Sequence, residues 1–347
     1  MISIDLGSYE TKIIEGKVNR DGIKVNKAFS FDTPKNSYKN GYIKNEEELI
    51  NKTKEELKKN RLTSGNCYIN IKSTAVITRE IVFPLLGDKE IEGLLKYQLP
   101  EYLPMDSGKY IIQHKPLDKI NVEGSEKLNV LVVAIPREMV DAHFSFIKEL
   151  GLRPTIMDYQ CNALWKLLKH SNKINDDISI ADRTIAAIDL GYDTTSITII
   201  KNGIMQFSRV LDIGGFNMDS NLSSLISLEN EELLAKKMEI TDVSIIDGGY
   251  SDYNRMINII KTSLEGIMER ADKVFKYYIF KETENEIQNI ILYGGLSGIK
   301  GIDKLFNGYF NVSTSIINDL DKINTQNDVK KYINCFGALL RDDEVYY

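Results

Sequence analysis

The sequence is poor in cysteine and histidine, and the few that it has are scattered. Its three cysteines form no C-x-x-C motif: Cys67, Cys161 and Cys335. Its three histidines show none of the close clustering that a zinc site requires: His114, His143 and His170. Thiols so far apart predict a reduced setting, in which they act as small buried hydrophobic groups and not as a disulfide framework.

Other absences narrow the range of functions. No uninterrupted apolar run is long enough to span a bilayer, and no basic segment precedes an apolar core near Met1, so we expect neither a membrane helix nor a signal peptide. The motif G-x-x-x-x-G-K-[ST] does not occur, which excludes a P-loop. A net charge of −6 argues against nonspecific binding to nucleic acid or to an anionic membrane.

What the sequence does contain is one short motif in two copies, at residues 4–14 and 188–198. Each copy reads as an apolar strand, a tight turn and a second strand, with aspartate at the end of the first strand and glycine in the turn. One fixed offset matches six positions: Ile4 with Ile188, Asp5 with Asp189, Leu6 with Leu190, Gly7 with Gly191, Thr11 with Thr195, and Ile13 with Ile197.

Two facing hairpins of this kind predict a phosphate site between two similar domains. Glycine permits a positive φ and lacks the Cβ that would block a ligand, and such a turn can point several N–H groups at an anion. An aspartate beside the turn suits Mg²⁺, which predicts a metal between Asp5 and Asp189. The N–H groups expected to face phosphate are those of Gly7, Ser8, Gly191 and Tyr192. The alternative is two ordinary hairpins whose glycines serve only their own turns.

The length of 347 residues exceeds one usual domain of about 100–200 residues, so we expect at least two lobes. The predicted division assigns 1–65, 158–182 and 330–347 to a first lobe, 66–157 to an inserted subdomain and 183–329 to a second lobe. Strands are predicted at 67–71, 75–84, 110–112 and 128–135, and a polar loop at 118–127. Helices are predicted after residue 90, ending at Pro100 or Pro104, and at 137–150, 161–170, 218–225, 233–238, 253–280 and 329–340.

Three motifs follow one another along the chain: Asp5-Leu6-Gly7-Ser8, Asp189-Leu190-Gly191 and Leu292-Tyr293-Gly294-Gly295-Leu296. In this order they resemble the phosphate-1, phosphate-2 and adenosine motifs of the superfamily that includes actin and the sugar kinases. The resemblance spans nearly the whole chain and implies an α/β, actin-like (ribonuclease H-like) fold with ATP and Mg²⁺ in the cleft. It implies nucleotide contacts from Gly7, Ser8, Tyr9, Lys12, Gly191, Tyr192, Asp193, Gly215, Lys237, Gly294, Gly295 and Leu296, with Asp5 and Asp189 at the metal.

The inserted module indicates a branch of that superfamily. Segments 83–104, 130–141 and 151–154 are similar to the extra subdomain of the PilM family, the actin-like proteins of type IV pilus machines. FtsA, the nearest relative with an equivalent subdomain (1C), usually ends in a basic amphipathic membrane helix. The run 342–347 is acidic here and would be repelled by anionic headgroups, which favours the PilM family.

The PilM resemblance implies a cytoplasmic ATP-binding scaffold of type IV pilus assembly and twitching motility. Its partner would be the cytoplasmic N-terminal peptide of a PilN-like inner-membrane protein, bound between the first lobe and the 66–157 subdomain. That partner would hold the protein at the inner face of the cytoplasmic membrane. The family is also consistent with binding to other pilus platform proteins or motor ATPases, and with self-association.

Four residues bear on ATP turnover. Leu234 stands where the superfamily often has a ribose-binding glutamate, which leaves Lys237 as the expected ribose contact. Asp193 would repel a triphosphate unless it turns to metal or solvent. Gln160 stands where actin-like proteins hold a water-orienting residue, with an exposed helix start as the alternative. Because glutamine is a poor general base, we expect at most a slow ATPase.

Two other interpretations remain open, as does the role of Lys12. A small-molecule kinase of the same superfamily would need an aspartate general base in the cleft. An FtsA-like cell-division protein would bind anionic liposomes directly. Lys12 stands where actin-like proteins place a lysine that reaches the phosphates, and a solvated strand residue is the alternative.

Overall fold

The computed structural model describes residues 1–341 except 103–105, 172, 176, 227–239 and 246–250. The predicted helix at 233–238, with Leu234 and Lys237, and the acidic run 342–347 lie outside the described residues. In chain order the strands are β1 (Ile2–Asp5), β2 (Glu10–Asn19), β3 (Gly22–Asp32), β4 (Tyr38–Lys39), β5 (Tyr42–Ile43), β6 (Asn66–Ile71), β7 (Ile77–Pro84), β8 (Tyr110–Val122), β9 (Ser125–Pro136), β10 (Arg153–Tyr159), β11 (Lys173–Ile174), β12 (Ile178–Ser179), β13 (Thr184–Leu190), β14 (Thr195–Lys201), β15 (Ile204–Leu211), β16 (Asn289–Tyr293), β17 (Ser313–Ile316) and β18 (Ile323–Asn324). The helices are α1 (Glu46–Lys59), α2 (Asp88–Tyr102), α3 (Arg137–Glu149), α4 (Gln160–His170), α5 (Gly215–Ile226), α6 (Asp252–Lys281), α7 (Ile302–Phe310) and α8 (Val329–Leu339).

The first sheet has six strands in the order β10-β6-β1-β2-β3-β18. β1 and β2 form the first predicted hairpin, in which Asp5 pairs with Lys12. β6 runs parallel to β1, and β10 runs parallel to β6. Residues 66–71 and 153–157 were assigned to the inserted subdomain, but β6 and β10 pair within the sheet of the first lobe and therefore belong to it.

The second sheet repeats this topology in the order β15-β14-β13-β16-β17. β13 and β14 form the second predicted hairpin, with Asp189 opposite Ser196. Two parallel strands continue the sheet on one side and an antiparallel strand on the other, as in the first sheet. The long helix α6 begins at the N-cap Ser251, whose side chain accepts a hydrogen bond from the Asn254 N–H, and it buries its apolar stripe in the core of this lobe.

A separate layer of three strands, β7-β9-β8, packs against α2. β8 and β9 form one long hairpin whose turn is Glu123-Gly124, both with positive φ, where a polar loop at 118–127 was predicted. Helix α2 continues through Pro100 and ends before Pro104. This layer spans 77–136 and is narrower than the predicted subdomain, because the flanking strands complete the first sheet.

Helices α4 and α8 lie between the two sheets, and a single buried cluster joins all four elements. It includes Ile14 of the first sheet, Ile185 of the second, Leu164 of α4 and Phe336 of α8. A Cβ on Gly337 of α8 would lie 2.3 Å from a backbone oxygen of α4. The helices therefore meet backbone to backbone, and the two lobes share one core.

The chain returns to the first lobe after completing the second. β18 adds to the edge of β3, with Ile323 opposite Ile23, and α8 packs on β1 and β2. At this edge Gly22 has a φ of +127°, and a Cβ there would lie 2.1 Å from the carbonyl oxygen of Lys322. Only glycine fits this approach, because other residues would meet both the backbone strain and the neighbouring carbonyl.

His143 of α3 makes stability depend on pH. Burial lowers the pKa of its imidazole from 6.5 to about 4, while Nδ1 lies 2.7 Å from the Met139 carbonyl oxygen. Below pH 6.5 the imidazole is therefore protonated in the unfolded chain, whereas in the folded chain it stays neutral until the pH approaches 4. We expect the free energy of unfolding to fall by about 2 kcal/mol between pH 7 and pH 5. Urea unfolding of wild type and His143→Gln at both pH values checks this. If the variant loses as much unfolding free energy between pH 7 and pH 5 as wild type does, the effect belongs to other groups.

Candidate functional site

A cavity of about 580 Å³ lies between the two lobes and is lined by both hairpins. Of the predicted site residues, those that line it are Asp5, Gly7, Ser8, Tyr9, Lys12, Asp189, Gly191, Tyr192, Asp193, Gly215, Gly294, Gly295 and Leu296. Lys237 lies outside the described residues, and Gln160 is buried behind the cavity at 1% exposure. The fold thus brings three motifs from distant parts of the sequence to one cleft.

The glycines of the two hairpins have matching surroundings. A Cβ on Gly7 would lie 2.6 Å from the backbone oxygen of Glu10, and a Cβ on Gly191 would lie 2.6 Å from that of Thr194. Neither glycine has a positive φ. The prediction that these turns need glycine for a positive φ was therefore wrong. What each turn requires is the absence of a side chain, because the backbone oxygen three residues further along the chain lies too close.

The backbone of the second hairpin is largely occupied by its own turn and by α5. The N–H of Gly191 lies 3.2 Å from the carbonyl oxygens of Asp189 and Thr194, and its own carbonyl accepts from the Gly215 N–H at 3.0 Å. The Tyr192 carbonyl accepts from the Phe216 N–H at 2.9 Å. The Gly191 N–H is therefore engaged within the protein, contrary to the expectation that it faces a ligand.

Each hairpin aspartate forms an ion pair with a lysine. Lys12 Nζ lies 3.6 Å from Asp5 Oδ2, and Lys72 Nζ lies 2.8 Å from Asp189 Oδ2. Burial acts to lower the pKa of Lys12, but the charges of Asp5 and other nearby carboxylates outweigh it and raise that pKa. The side-chain amide of Asn334 on α8 reaches both carboxylates, at 3.3 Å from Asp5 Oδ2 and 3.4 Å from Asp189 Oδ2. The two aspartates thus form one network across the cleft.

Gln160 is hydrogen-bonded to this network on the side away from the cavity. Its Nε2 lies 2.7 Å from Tyr293 Oη, 3.0 Å from Asn334 Oδ1 and 3.4 Å from Asp189 Oδ2. Its Oε1 accepts from Ser196 Oγ at 3.0 Å. The exposed helix start considered for Gln160 is wrong, and the amide is already committed to protein groups, which leaves it poorly placed to orient a water molecule.

Gly294 places the third motif directly against Asp189. Its φ is +88°, and a Cβ there would lie 2.2 Å from Asp189 Oδ1 and 2.9 Å from the Leu190 carbonyl oxygen. The next residue, Gly295, has nothing within 4 Å of its own Cβ position. The glycine pair therefore has two different roles, since the first lets the backbone pass the carboxylate and the second leaves open space in the cavity.

The mouth of the cavity is bridged by residues that follow the two turn glycines. The rings of Tyr9 and Tyr192 are 5.0 Å apart, centroid to centroid. Burial, with the charges of Asp219 and Asp193 beside it, raises the pKa of Tyr192 to about 12, so its phenol remains neutral. The Asn40 N–H donates to Asp193 Oδ2 at 3.3 Å. Asp193 thus turns to the first lobe.

Several lining residues were not identified from the sequence: Lys72, Asn334, Lys300, Lys330 and Lys331. Lys331 is paired with Glu10 at 2.6 Å. Counting Lys12, five lysines line the cavity beside five carboxylates: Asp5, Glu10, Asp189, Asp193 and Asp219. Among the described residues, no helix is both long and apolar enough to cross a membrane.

Comparisons with known proteins agree with this architecture. Residues 3–336 match the family described as type IV pilus assembly protein PilM. A solved structure of a PilM–PilN type IV pilus biogenesis complex is similar with a TM-score of 0.79 at 18% identity, covering 100% of this chain and 98% of that one. The ethanolamine utilization protein EutJ of Carboxydothermus hydrogenoformans gives a TM-score of 0.58 at 13% identity, with coverages of 97% and 88%.

A nucleotide-bound relative of the fold is also similar. MreB5 of Spiroplasma citri, solved with AMPPNP, gives a TM-score of 0.53 at 14% identity, covering 97% of this chain and 93% of that one. At these identities the solved structures establish the fold, and they confirm the predicted actin-like architecture. The family match covers nearly the whole sequence and confirms the branch, so this chain belongs to the family of type IV pilus assembly protein PilM.

Proposed function

We propose that this protein is an ATP-binding scaffold of type IV pilus assembly that holds the N-terminal peptide of a PilN-like membrane protein. The observation that carries the proposal is the family match over residues 3–336, together with a likeness along the full chain to a PilM–PilN complex. The PilN-like partner would keep the protein at the cytoplasmic face of the inner membrane.

The cleft supports nucleotide as the ligand. Its volume of about 580 Å³ is within the range of small-molecule sites. Lys12 and Lys72 lie at the two hairpins and suit phosphates. Gly295 and Leu296 line the same cavity as the apolar residues Met218 and Ile240, which suit an adenine ring. ATP would thus contact both lobes and stabilise their closed arrangement.

Slow turnover is part of the same proposal. Gln160 is committed to Tyr293, Asn334 and Asp189, so it would position the carboxylate network and not an attacking water. We therefore propose that ATP mainly acts as a structural ligand, with turnover well below the typical enzyme rate of about 10 s⁻¹.

The peptide groove is proposed at the junction of the first lobe with the three-stranded layer. A small buried cluster there, which includes Met139, is bordered by partly buried apolar side chains from both sides: Tyr42, Val76, Ile111, Ile135 and Phe144. β8 stands at the edge of its sheet, and an edge strand can take up an extended peptide through main-chain hydrogen bonds.

Fluorescence anisotropy with a labelled PilN-like N-terminal peptide tests the proposal. We expect Ile111→Ser on β8 to weaken peptide binding by about tenfold or more, because it removes apolar surface from the groove. Val82→Ser on β7, the opposite edge of the layer, is the matched control, since Val82 is 45% exposed and lies away from the junction. Equal affinities for the two variants would place the groove elsewhere.

A further inference from the structure

Asp189, which was predicted to bind Mg²⁺ together with Asp5, has surroundings that do not suit direct metal contact. Asp189 Oδ2 already has Lys72, Asn334 and Gln160 as donors, and Oδ1 packs against the backbone at Gly294. The part of the chain that the structure describes contains no group of three or more His, Cys, Asp or Glu that could hold a metal, so a divalent ion here would have only these carboxylates, phosphate oxygens and water as ligands. A divalent ion that bound Asp189 directly would have to displace the Lys72 ammonium group and lose part of its own hydration shell at a carboxylate that is only 2% exposed.

The repeat explains why Lys72 is needed. In the first hairpin Asp5 pairs across the strands with Lys12, so the hairpin supplies its own cation. At the corresponding position of the second hairpin, Asp189 pairs across the strands with Ser196, which is buried and bonded to Gln160. The second hairpin therefore lacks a cation of its own, and the first lobe supplies one through Lys72.

Lys72 also stands at the turn where a phosphate would bind. Its Nζ lies 2.9 Å from the position that a Cβ on Gly191 would take, and its side chain lines the cavity at 23% exposure. An ammonium group has three donors. One of them is used by Asp189, and the others can reach an anion in the cavity.

We propose that Lys72 is the tethered cation of this site, holding Asp189 and a nucleotide phosphate together in the place that a divalent metal would take. The inference rests on the proposed nucleotide binding and deepens it. Its consequence is that the protein binds nucleotide without added metal. The chemistry recognised is a diphosphate or triphosphate group, whose charge is matched by lysines of both lobes.

The test is calorimetric titration of the full chain with ADP, in excess EDTA and again in excess Mg²⁺. We expect wild type to bind with affinities within about threefold of each other in the two buffers. In EDTA, Lys72→Met should weaken binding by about tenfold to a hundredfold, the range of a charge-assisted hydrogen bond, and Lys72→Arg should recover part of the loss.

Lys304→Met is the matched control, because Lys304 forms a short pair with Asp242, at 2.6 Å against 2.8 Å for Lys72 and Asp189, and is not among the residues that line the cavity. It should bind ADP as wild type does. If Lys72→Met fails to fold, the double variant Lys72→Met/Asp189→Asn removes both charges, and the same loss in EDTA is expected of it.

Four outcomes would overturn the inference. Wild-type binding that weakens about tenfold or more in EDTA would show that metal is required. Unchanged binding in the Lys72 variants, or an equal loss in Lys304→Met, would show that Lys72 has no special role. Absence of ADP binding in both buffers would overturn the proposed nucleotide function itself, and this inference with it.

Discussion

Gly337→Ala is expected to lower the free energy of unfolding by about 3 kcal/mol, near the upper end for overpacking of a buried contact. The new Cβ would lie 2.3 Å from the carbonyl oxygen and 3.2 Å from the Cβ of Ala163. Backbone atoms cannot swing aside as a flexible side chain can, so α4 and α8 would have to separate. Alanine improves helix propensity over glycine by about 1 kcal/mol, which is smaller than the clash.

Gly308→Ala is the matched control for this substitution. Gly308 also lies within a helix, α7, but nothing lies within 4 Å of its Cβ position. The helix-propensity term should then act alone, and we expect equal or slightly higher stability than wild type. Urea unfolding followed by far-UV circular dichroism measures both variants. A Gly337→Ala protein as stable as Gly308→Ala would contradict the backbone contact between α4 and α8.

Gly294→Ala is expected to damage both the fold and the site. Its φ of +88° is strained for alanine, and the Cβ would lie 2.2 Å from Asp189 Oδ1. Either the carboxylate moves, breaking its contacts with Lys72 and Asn334, or the turn after β16 shifts. We expect a loss of about 2–3 kcal/mol in the free energy of unfolding and at least about a tenfold loss in ADP affinity.

The adjacent residue gives the comparison for Gly294. Gly295 has no positive φ and nothing within 4 Å of its Cβ position, so Gly295→Ala should keep the Tm of wild type. Thermal unfolding and calorimetry with ADP are the measurements. Similar Tm values for the two variants would mean that the carboxylate has more freedom than its contacts suggest.

The sequence was most informative where a pattern repeats. The two hairpins were predicted from six matched positions. The strands and turn glycines of these hairpins, and the third motif, lie where they were expected. The assignment of strand 66–71 to the inserted subdomain was wrong, because an apolar strand pattern does not reveal which sheet the strand joins. Periodicity reports burial, whereas partners along a parallel edge depend on the tertiary fold.

Lys72 and Asn334 were missed for the same physical reason. Asn334 is a polar residue within the buried part of an amphipathic helix, and the sequence alone does not show that it faces the cleft. Lys72 directly follows β6. Had β6 been placed parallel to β1, the ends of both strands would have been expected at one edge, where ligands of open α/β sheets bind. That placement would have put Lys72 at the edge of the sheet that also holds Asp5 and the first turn.

The return of the chain to its first lobe affects the order of folding. β1, β2 and β3 are synthesised first, but their sheet acquires β18 at its edge and α8 on its face only after the whole second lobe has been made. The second lobe draws its sheet from a nearly continuous stretch, so its contacts are closer in sequence and can form earlier. During translation the lobe that begins first should therefore be completed last. Until α8 is made, the apolar surface of the first sheet that α8 covers would stay exposed and could be bound by chaperones.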